Sequence, residues 1–258
     1  MKLDLSGRST LVTGSTAGIG FAAAKALAEC GARVFVNGRD EARTAEAAGL
    51  IAARAQPVAG DVGTADGCKA IHAATGPVDI LVNNAGIFEP VDFFDTDDET
   101  WDRHWQVNVM SAVRLSRAYA PAMVEKGWGR IVMLGSESAF NIPAEMIHYG
   151  VSKTADVAFA RGLAKRLART GVTVNSVLPG PTLSEGLEDM LADRAAQSDK
   201  PLEEVAADFV MENRPTSIIR RASSVEEVAN MIAYAASPLS SATTGASLRV
   251  DGGVVDAL

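Results

Sequence analysis

The sequence has few cysteines, no long apolar run and no excess of positive charge. Cys30 and Cys68 are the two cysteines, and neither a paired framework nor metal-ligand spacing surrounds them. We therefore expect buried free thiols, no disulfide and a reducing, cytoplasmic compartment. Charged residues or glycines interrupt each apolar stretch before it reaches membrane-spanning length, and the N-terminal region lacks the apolar core of a secretion signal. We expect neither a membrane span nor a signal peptide.

The charge balance argues against polyanionic partners. The chain of 258 residues contains 24 Lys and Arg against 32 Asp and Glu, a net charge of −8, which disfavours nucleic acid and anionic membranes. Hydrophobic residues make up 47% and charged residues 22%, as in an ordinary globular protein. Neither a low-complexity linker nor an internal repeat occurs, so we predict a single domain over residues 1–258 with a small-molecule substrate.

The positions of the histidines do not favour a role in metal binding or catalysis, and the tryptophans are interpreted in the same way as structural residues. The histidines show no metal-ligand spacing, and adjacent helical residues such as His148 and Tyr149 point about a hundred degrees apart. We predict no metal site. The residues interpreted as having packing, interface or other structural roles are His72, His104, His148, Trp101, Trp105 and Trp128.

Short β-branched segments alternate along the chain with longer Ala-rich amphipathic segments. The longer segments repeat apolar residues at about 3.6-residue spacing, which predicts helices, and the shorter ones predict strands. Such alternation requires crossover connections, so we predict a doubly wound α/β fold with a seven-stranded, mainly parallel sheet and helices on both faces. The predicted strands are 9–13, 33–36, 57–59, 79–83, 130–134, 172–177 and 247–250, and the predicted helices include 19–30, 41–53, 99–126 and 149–170.

The segment 182–214 interrupts this alternation with a helical pattern that carries nine acidic residues. One interpretation is a solvated helical hairpin. The other is a mobile lid over a site at the carboxyl ends of the strands, where ligands of open α/β sheets bind. We favour the lid.

A glycine-rich turn follows the first predicted strand. Its glycines are spaced four and then two residues apart, unlike G-x-G-x-x-G, but their physical role is the same. Glycine permits a tight turn and close approach to a pyrophosphate, whose charge is favourable at a helix N-terminus. We predict dinucleotide binding, although a tight strand-to-helix turn also favours glycine for structural reasons alone. The predicted contacts are Gly14, Ser15, Thr16, Gly18, Ile19 and Gly20.

The end of the second strand indicates which dinucleotide binds. NAD sites usually place Asp or Glu there to bind the ribose 2′-hydroxyl, whereas this strand ends in Asn37, Gly38 and Arg39. The Arg39 guanidinium suits a bidentate grip on a 2′-phosphate, so NADP(H) is the predicted cofactor and NAD(H) is the alternative. The competing interpretation is a surface Arg39 beside a turn, with Asp40 capping the next helix.

Several short motifs occur in a fixed order along the chain. They are residues 13–20, Asn83-Asn84-Ala85-Gly86 after the fourth strand, Tyr149-x-x-x-Lys153, and Pro179-Gly180 after the sixth strand. With these motifs the chain resembles the short-chain dehydrogenase/reductase family over nearly its whole length. The resemblance implies a single-domain Rossmann-like fold, nicotinamide chemistry and a homotetramer, with a homodimer as the alternative.

Tyr149 and Lys153 stand four residues apart and therefore share one face of a helix. A neighbouring ammonium favours the phenolate form, so we predict that Tyr149 transfers the proton with the help of Lys153. The resemblance implies that Lys153 also binds the nicotinamide ribose and that Asn108 bends its helix and holds a relay water. It further implies that Ser136 polarises the carbonyl, with Ser138 as its nearest rival and a turn or capping role as the alternative.

The resemblance implies further cofactor contacts at the strand ends. Residues 83–86 lie beneath the adenosine half of the cofactor, with a purely structural role as the alternative for Asn84. Asp61 and Val62 match the pair that touches the adenine. Thr182 and Ser184 match the positions that contact the nicotinamide carboxamide. The remaining predicted cofactor contacts are Asn83, Ala85, Gly86, Tyr149, Pro179 and Gly180.

Together these residues predict NADP(H)-dependent interconversion of a ketone or aldehyde and its alcohol by hydride transfer. Two alternatives stay open. Reduction of a 3-oxoacyl thioester is disfavoured by the acidic segment, and a non-catalytic NADP(H)-binding regulatory protein does not need a proton relay. The predicted substrate contacts are Ser138, Phe140, Met146 and Leu183, with Phe88, Glu89, Asn141 and Glu145 nearby.

Overall fold

Seven parallel strands form the central sheet of the computed structural model, which describes residues 3–51 and 55–257. Two further strands, β7 and β8, form a separate pair. In chain order, all the strands of the described residues are β1 (Ser9–Val12), β2 (Arg33–Gly38), β3 (Ala55–Ala59), β4 (Ile80–Asn83), β5 (Gly129–Leu134), β6 (Val172–Pro179), β7 (Thr182–Leu183), β8 (Ser223–Ser224) and β9 (Ser247–Val250). The sheet order is β3-β2-β1-β4-β5-β6-β9, and β7 pairs separately with β8. All these pairings are parallel, so the predicted doubly wound α/β sheet is confirmed.

Helices cover both faces of the sheet. They are α1 (Gly18–Glu29), α2 (Glu41–Ile51), α3 (Ala65–Thr75), α4 (Asp98–His104), α5 (Ser111–Lys126), α6 (Ile147–Arg166), α7 (Glu185–Ala196), α8 (Leu202–Asn213) and α9 (Val225–Ala236). Successive strand residues point to opposite faces. Accordingly Leu11 and Phe35 pack with α3, α5 and α6, whereas Val12 and Val36 pack with α1, α2 and α9.

Two predicted helices differ from the observed ones, one in its internal hydrogen bonding and the other in its bounds. The predicted helix 99–126 is a continuous helical stretch that contains a π-helical turn, Trp105–Met110, between α4 and α5. The predicted helix 149–170 begins at Ile147 and ends at Arg166, because Arg169 and Gly171 have left-handed backbone with φ of 66° and 79°. Residues 52 and 53 of the predicted helix 41–53 lie outside the described residues.

The acidic segment 182–214 contains β7, α7 and α8, which lie beside the carboxyl ends of β5 and β6. Leu187, Leu191 and Ala206 form a small apolar cluster of their own between the two helices. Part of the acidic charge is paired within the segment, since Arg194 binds Glu212 through two contacts of 2.6 and 2.7 Å. Motion of this segment as a lid stays a prediction.

None of the helices in residues 3–51 and 55–257 combines the length and apolar character needed to cross a bilayer. Cys30 and Cys68 are both free thiols. Cys68 is buried as expected, whereas Cys30 at the end of α1 is only partly buried.

Candidate active site at the carboxyl edge of the sheet

A cavity of about 550 Å³ opens at the carboxyl edge of the sheet. Parallel strands all end at this edge, so the turns after β1, β4, β5 and β6 meet there. Residues of α7 and α8 form the opposite wall. The predicted site residues that line the cavity are Gly18, Ile19, Gly20, Gly86, Ser136, Ser138, Met146, Tyr149, Lys153, Pro179, Gly180, Thr182 and Ser184.

The glycine turn between β1 and α1 is tightly packed against neighbouring backbone. Gly14 has φ of +58°, and a Cβ built there would lie 2.9 Å from the Cα of Ala85. A Cβ at Gly20 would overlap the carbonyl oxygen of Gly14 and Nδ2 of Asn84. A side chain at either position therefore requires the turn to move, which explains the two glycines on steric grounds.

The N-terminus of α1 is suited to an anionic ligand. Its N-cap, Ala17, provides no side-chain hydrogen bond, and the first turn contains no acidic residue. The first N–H groups of α1 therefore have no side-chain cap, and the helix dipole favours negative charge at this end. Since Ala17, Gly18 and Ile19 line the cavity, this end of the helix fits the pyrophosphate of a dinucleotide.

Two asparagines brace the glycine turn. Nδ2 of Asn84 donates to the carbonyl oxygens of Thr13 (2.8 Å) and Gly14 (2.9 Å). Asn37 Oδ1 accepts from the N–H of Gly14 at 3.3 Å, and its Nδ2 donates to the carbonyl oxygens of Val58, within β3, and Gly60, just after it. These contacts are consistent with the structural role weighed for Asn84. Asn37 was not a predicted site residue, and its position at the end of β2 was the available signal.

Tyr149 and Lys153 lie in the first two turns of α6 and both line the cavity. The Nζ of Lys153 lies 5.8 Å from the centroid of the Tyr149 ring. Nζ donates to the carbonyl oxygen of Leu134 at 2.8 Å, at the end of β5. The ring of Phe88 contacts Tyr149 edge-on at 6.2 Å between centroids. The two side chains thus converge as the four-residue spacing predicts.

Asp156, one turn beyond Lys153, is a buried acidic residue that sequence reasoning missed. Its Oδ2 lies 3.4 Å from Lys153 Nζ, and its Oδ1 has no hydrogen-bond partner among the described residues. Burial raises the pKa of Asp156 to about 6, although the neighbouring ammonium acts in the opposite direction. The i, i+3 spacing was the only signal in the sequence, and such spacing usually marks an exposed pair.

Ser136 and Ser138 lie in the loop after β5 and are both buried. Ser136 Oγ accepts the backbone N–H of Ser138 at 3.1 Å. Ser136 thereby caps a short 3₁₀ turn, Glu137–Ala139, which agrees with the capping alternative. Accepting this bond leaves the hydroxyl proton of Ser136 available to a ligand. Capping of the turn is therefore compatible with a hydrogen bond from Ser136 to a substrate carbonyl.

Asn108 occupies the π-helical turn and binds two segments of the site. Its side-chain amide donates to the carbonyl oxygen of Ile87 (3.0 Å) and accepts the N–H of the same residue (2.8 Å). Nδ2 also donates to Ser152 Oγ at 2.9 Å, next to Lys153. Asn108 is buried and outside the cavity lining, so it contacts the site through Ile87 and Ser152.

Several predicted contacts lie away from the cavity. Arg39 and Asp61 are exposed at the ends of β2 and β3, where an adenosine half could extend, and Val62 is buried beside them. Phe140, a predicted substrate contact, is 56% exposed and outside the lining. Leu183 packs against the apolar cluster of α7 and α8 instead. The other predicted residues outside the lining are Gly14, Ser15, Thr16, Asn83 and Ala85.

A buried ion pair in the cavity wall was also missed. Glu137, next to Ser136, accepts from Nε of Arg214 at 2.8 Å, and the two side chains are 4% and 11% exposed. Burial raises the pKa of Glu137, while Arg214 and the hydroxyl of Ser138 act to lower it. Seventy-seven residues separate the partners, so no local pattern could reveal the pair.

The three histidines lie in packed surroundings. His104 and His148 have ring centroids 4.3 Å apart, and Trp101 packs edge-on against His148. Burial lowers the pKa of both histidines. His72 packs against Tyr119. Within residues 3–51 and 55–257, no group of three or more His, Cys, Asp or Glu side chains could hold a metal ion.

Comparison with known proteins identifies the family. The family model described as short chain dehydrogenase matches residues 8–195. The uncharacterized oxidoreductase YvaG of Bacillus subtilis (strain 168) is 47% identical over 264 residues, which cover 99% of this chain and 98% of the relative. A D-beta-hydroxybutyrate dehydrogenase of Cupriavidus necator is 34% identical and covers 97% of this chain and 99% of the relative.

Similarity to solved structures extends over the whole chain. The structure of L-sorbose reductase from Gluconobacter frateurii, complexed with NADPH and L-sorbose, superposes with a TM-score of 0.92 at 30% identity. The match covers 100% of both chains. The fold and these relatives define an oxidoreductase that acts on alcohol or carbonyl substrates. The chain belongs to the short-chain dehydrogenase/reductase family.

Proposed function

We propose that the protein is an NADP(H)-dependent oxidoreductase that interconverts a ketone or aldehyde and its alcohol. The observation that carries this proposal is the convergence of Ser136, Tyr149 and Lys153 in one cavity with the N-terminus of α1. A binding protein without turnover needs the helix terminus but has no need for a phenol, an ammonium and a free hydroxyl proton beside it.

The proton-transfer group is Tyr149. It donates its hydroxyl proton to the carbonyl oxygen as negative charge develops there, and it accepts the proton in the reverse direction. When bound, the nicotinamide supplies or accepts the hydride. Ser136 donates a hydrogen bond to the same oxygen and so stabilises the developing charge. The Nζ of Lys153 lies 5.8 Å from the centroid of the Tyr149 ring, so it would bind the nicotinamide ribose beside the phenol.

Asn108 and Leu134 position these groups. The carbonyl of Leu134 holds Nζ of Lys153, and Asn108 joins Ile87 to Ser152 across the base of the site. We propose that Asn108 also supports the water relay to Lys153, as in the family. Its π-helical turn supports this role, because a π turn leaves backbone carbonyls without their regular helical partners.

NADP(H) is the cofactor we propose. Arg39 is exposed immediately after β2, and the residue before it, Gly38, adjoins Thr16 of the glycine turn. An arginine there suits a 2′-phosphate, whereas a carboxylate would suit a 2′-hydroxyl. The structural relative solved with NADPH supports the same choice.

Replacement of Tyr149 by phenylalanine tests the proposal. Initial rates of NADPH oxidation across a panel of ketones and aldehydes should fall by about 10² to 10⁴-fold, since that is the usual contribution of a general acid. NADPH affinity, measured by nucleotide fluorescence, should be unchanged. Tyr234→Phe in α9 is the matched control and should retain activity, because Tyr234 is not among the residues that line the cavity.

Two results would contradict the proposal. Wild-type activity in Tyr149→Phe would remove its proton-transfer role. NADPH binding by the wild-type protein without oxidation by any carbonyl of the panel would instead favour a regulatory binding protein.

A homotetramer, with a homodimer as the alternative, is the assembly we propose from family membership. Apolar side chains on the outer surface support self-association: Trp105 is 42% exposed, and Val124 and Val151 are each 37% exposed. Sedimentation velocity at micromolar concentration tests it, and a monomer would reject it.

A further inference from the structure

The ring of Phe88 contacts both the proposed proton-transfer group and the helical segment 182–214, and the proposed mechanism does not use it. Phe88 lines the cavity from the loop after β4. Its ring lies edge-on to Tyr149, with 6.2 Å between the ring centroids. Its Cζ would lie 3.3 Å from a Cβ built at Gly186, in the first turn of α7. A carbonyl compound that accepts the proton of Tyr149 is therefore bound next to this ring.

The loop that carries Phe88 is held by hydrogen bonds before and after the ring. Asn108 accepts the N–H of Ile87 at 2.8 Å and donates to the carbonyl oxygen of the same residue at 3.0 Å. Beyond Phe88, the N–H of Val91 donates to the carbonyl oxygen of Glu145 at 3.1 Å. A side chain whose backbone is fixed in this way offers a ligand a preorganised surface. The fold therefore sets the position of the ring before a substrate arrives.

Further apolar side chains line the cavity from the elements around Phe88. Pro90 belongs to the same loop, Met146 precedes α6, Met190 lies in α7 and Phe209 lies in α8. We call these four residues and Phe88 the apolar wall. Phe88 is 45% exposed and Met190 is 39% exposed, although both are large apolar side chains. Such exposure within a concave site is typical of a surface that binds an apolar ligand group.

We propose that Phe88 is a specificity-determining residue and that the substrate is a ketone or aldehyde with an apolar substituent, such as a cyclic or branched hydrocarbon group, which packs on the apolar wall. The inference rests on the reductase function proposed above. Each methylene of the substituent that is buried there should raise kcat/KM by about fourfold. A polar group of the same shape would lose its hydrogen bonds to water and gain none from the apolar side chains.

Two matched pairs of ketones test the class of substrate. With NADPH, kcat/KM is measured for hexan-2-one against butan-2-one, and for 1-cyclohexylethanone against 1-(oxan-4-yl)ethanone, in which an oxygen replaces one ring methylene. The wild-type protein should prefer hexan-2-one by about tenfold, because two more methylenes are buried. It should prefer the cyclohexyl ketone by at least about fivefold, because the ether oxygen would be buried without a donor. The reacting carbonyl is nearly the same within each pair.

Variants of Phe88 test the residue itself. Phe88→Ala removes the ring, so both kcat/KM ratios should fall by at least about threefold. Phe88→Leu keeps an apolar side chain at this position and should retain most of each preference. Phe94→Ala is the matched control, because Phe94 lies in the same loop, is 91% exposed and is not among the residues that line the cavity. This control should leave both ratios unchanged.

Gly186→Ala tests the contact from the side of α7. The new Cβ would lie 3.3 Å from Cζ of Phe88, so the ring has to shift by a few tenths of an ångström. The fall in kcat/KM should be at least about threefold larger for 1-cyclohexylethanone than for butan-2-one, because a wider substituent is more sensitive to the position of the ring. In the Phe88→Ala background the same substitution should have no such selective effect, since the two side chains no longer meet.

The outcomes separate this inference from the proposed function. Equal kcat/KM for the two members of each pair in the wild-type protein would overturn the apolar substituent and leave the reductase intact. Equal losses for both members of each pair in Phe88→Ala would give Phe88 a purely structural role and overturn its part in specificity. Failure of the wild-type protein to reduce any carbonyl would refute the reductase, and this inference with it.

Discussion

Lys153 Nζ and Asp156 Oδ2 lie 3.4 Å apart with side chains that are only 5% and 4% exposed. Burial raises the pKa of Asp156 from 3.8 to about 6, so the folded protein holds this proton more tightly than the unfolded chain. The stabilisation from this group is therefore present below pH 3.8 and is lost as the pH rises through about 6. Asp156 therefore contributes least to stability at neutral pH.

Asp156→Asn should remove that pH dependence. The unfolding free energy of the wild-type protein relative to the variant should fall by up to about 3 kcal/mol between pH 4 and pH 7, since one pKa unit corresponds to about 1.4 kcal/mol. Urea unfolding of both proteins at several pH values measures it. Asp66→Asn is the control, because its pair with Lys69 is exposed. Parallel pH profiles for wild type and Asp156→Asn would contradict the assignment.

Gly20→Ala should damage the cofactor turn. The new Cβ would overlap the carbonyl oxygen of Gly14 and Nδ2 of Asn84, so the turn has to open. We expect a loss of about 1–3 kcal/mol of stability, as for other overpacked sites, and weaker NADPH binding. Thermal unfolding and nucleotide fluorescence measure the two effects.

Gly49→Ala is the matched control for this substitution. Gly49 lies inside α2, and a Cβ added there would meet no atom within 4 Å, so alanine should raise stability by about 0.5–1 kcal/mol through helix propensity. Unchanged NADPH affinity in Gly20→Ala would show that the turn tolerates a side chain.

The fold and part of the site follow from local patterns, and the rest depends on long-range packing. Alternating strands and helices predict the sheet, and a four-residue spacing predicts that Tyr149 and Lys153 converge. The contact between Glu137 and Arg214 arises only when the end of α8 meets the loop after β5, which no periodicity encodes. Phe140 followed the candidate serines in sequence and still faces solvent, because a short 3₁₀ turn redirects the chain after Ser136.

Arg39→Asp should change the cofactor preference. The substitution removes the guanidinium proposed to bind the 2′-phosphate and places a carboxylate where NAD sites carry one. The ratio of kcat/KM for NADPH over NADH should fall by at least about tenfold, the value of one charge-assisted hydrogen bond. Lys25→Asp on the exposed side of α1 makes the same charge change and should leave the ratio unaltered. An unaltered ratio in Arg39→Asp would remove Arg39 from the cofactor site.

The buried pair of His104 and His148 should make the protein sensitive to mild acid. Burial lowers the pKa of each ring, and Nε2 of each lacks a hydrogen-bond partner among the described residues. Because the unfolded chain binds these protons more readily, stability is fully present above pH 6.5 and is lost as the pH falls through the lowered pKa values.

His104→Gln tests this relationship without altering Tyr149. The glutamine cannot take up a proton, so the decline in unfolding free energy between pH 7.5 and pH 5 should be shallower than in the wild-type protein. His72→Gln is the control, since His72 packs against Tyr119 away from the pair. Chemical unfolding at each pH gives the comparison. If His104→Gln declines as steeply as the wild-type protein, the acid sensitivity originates in other groups, and the two imidazoles serve only to fill the space between α4 and α6.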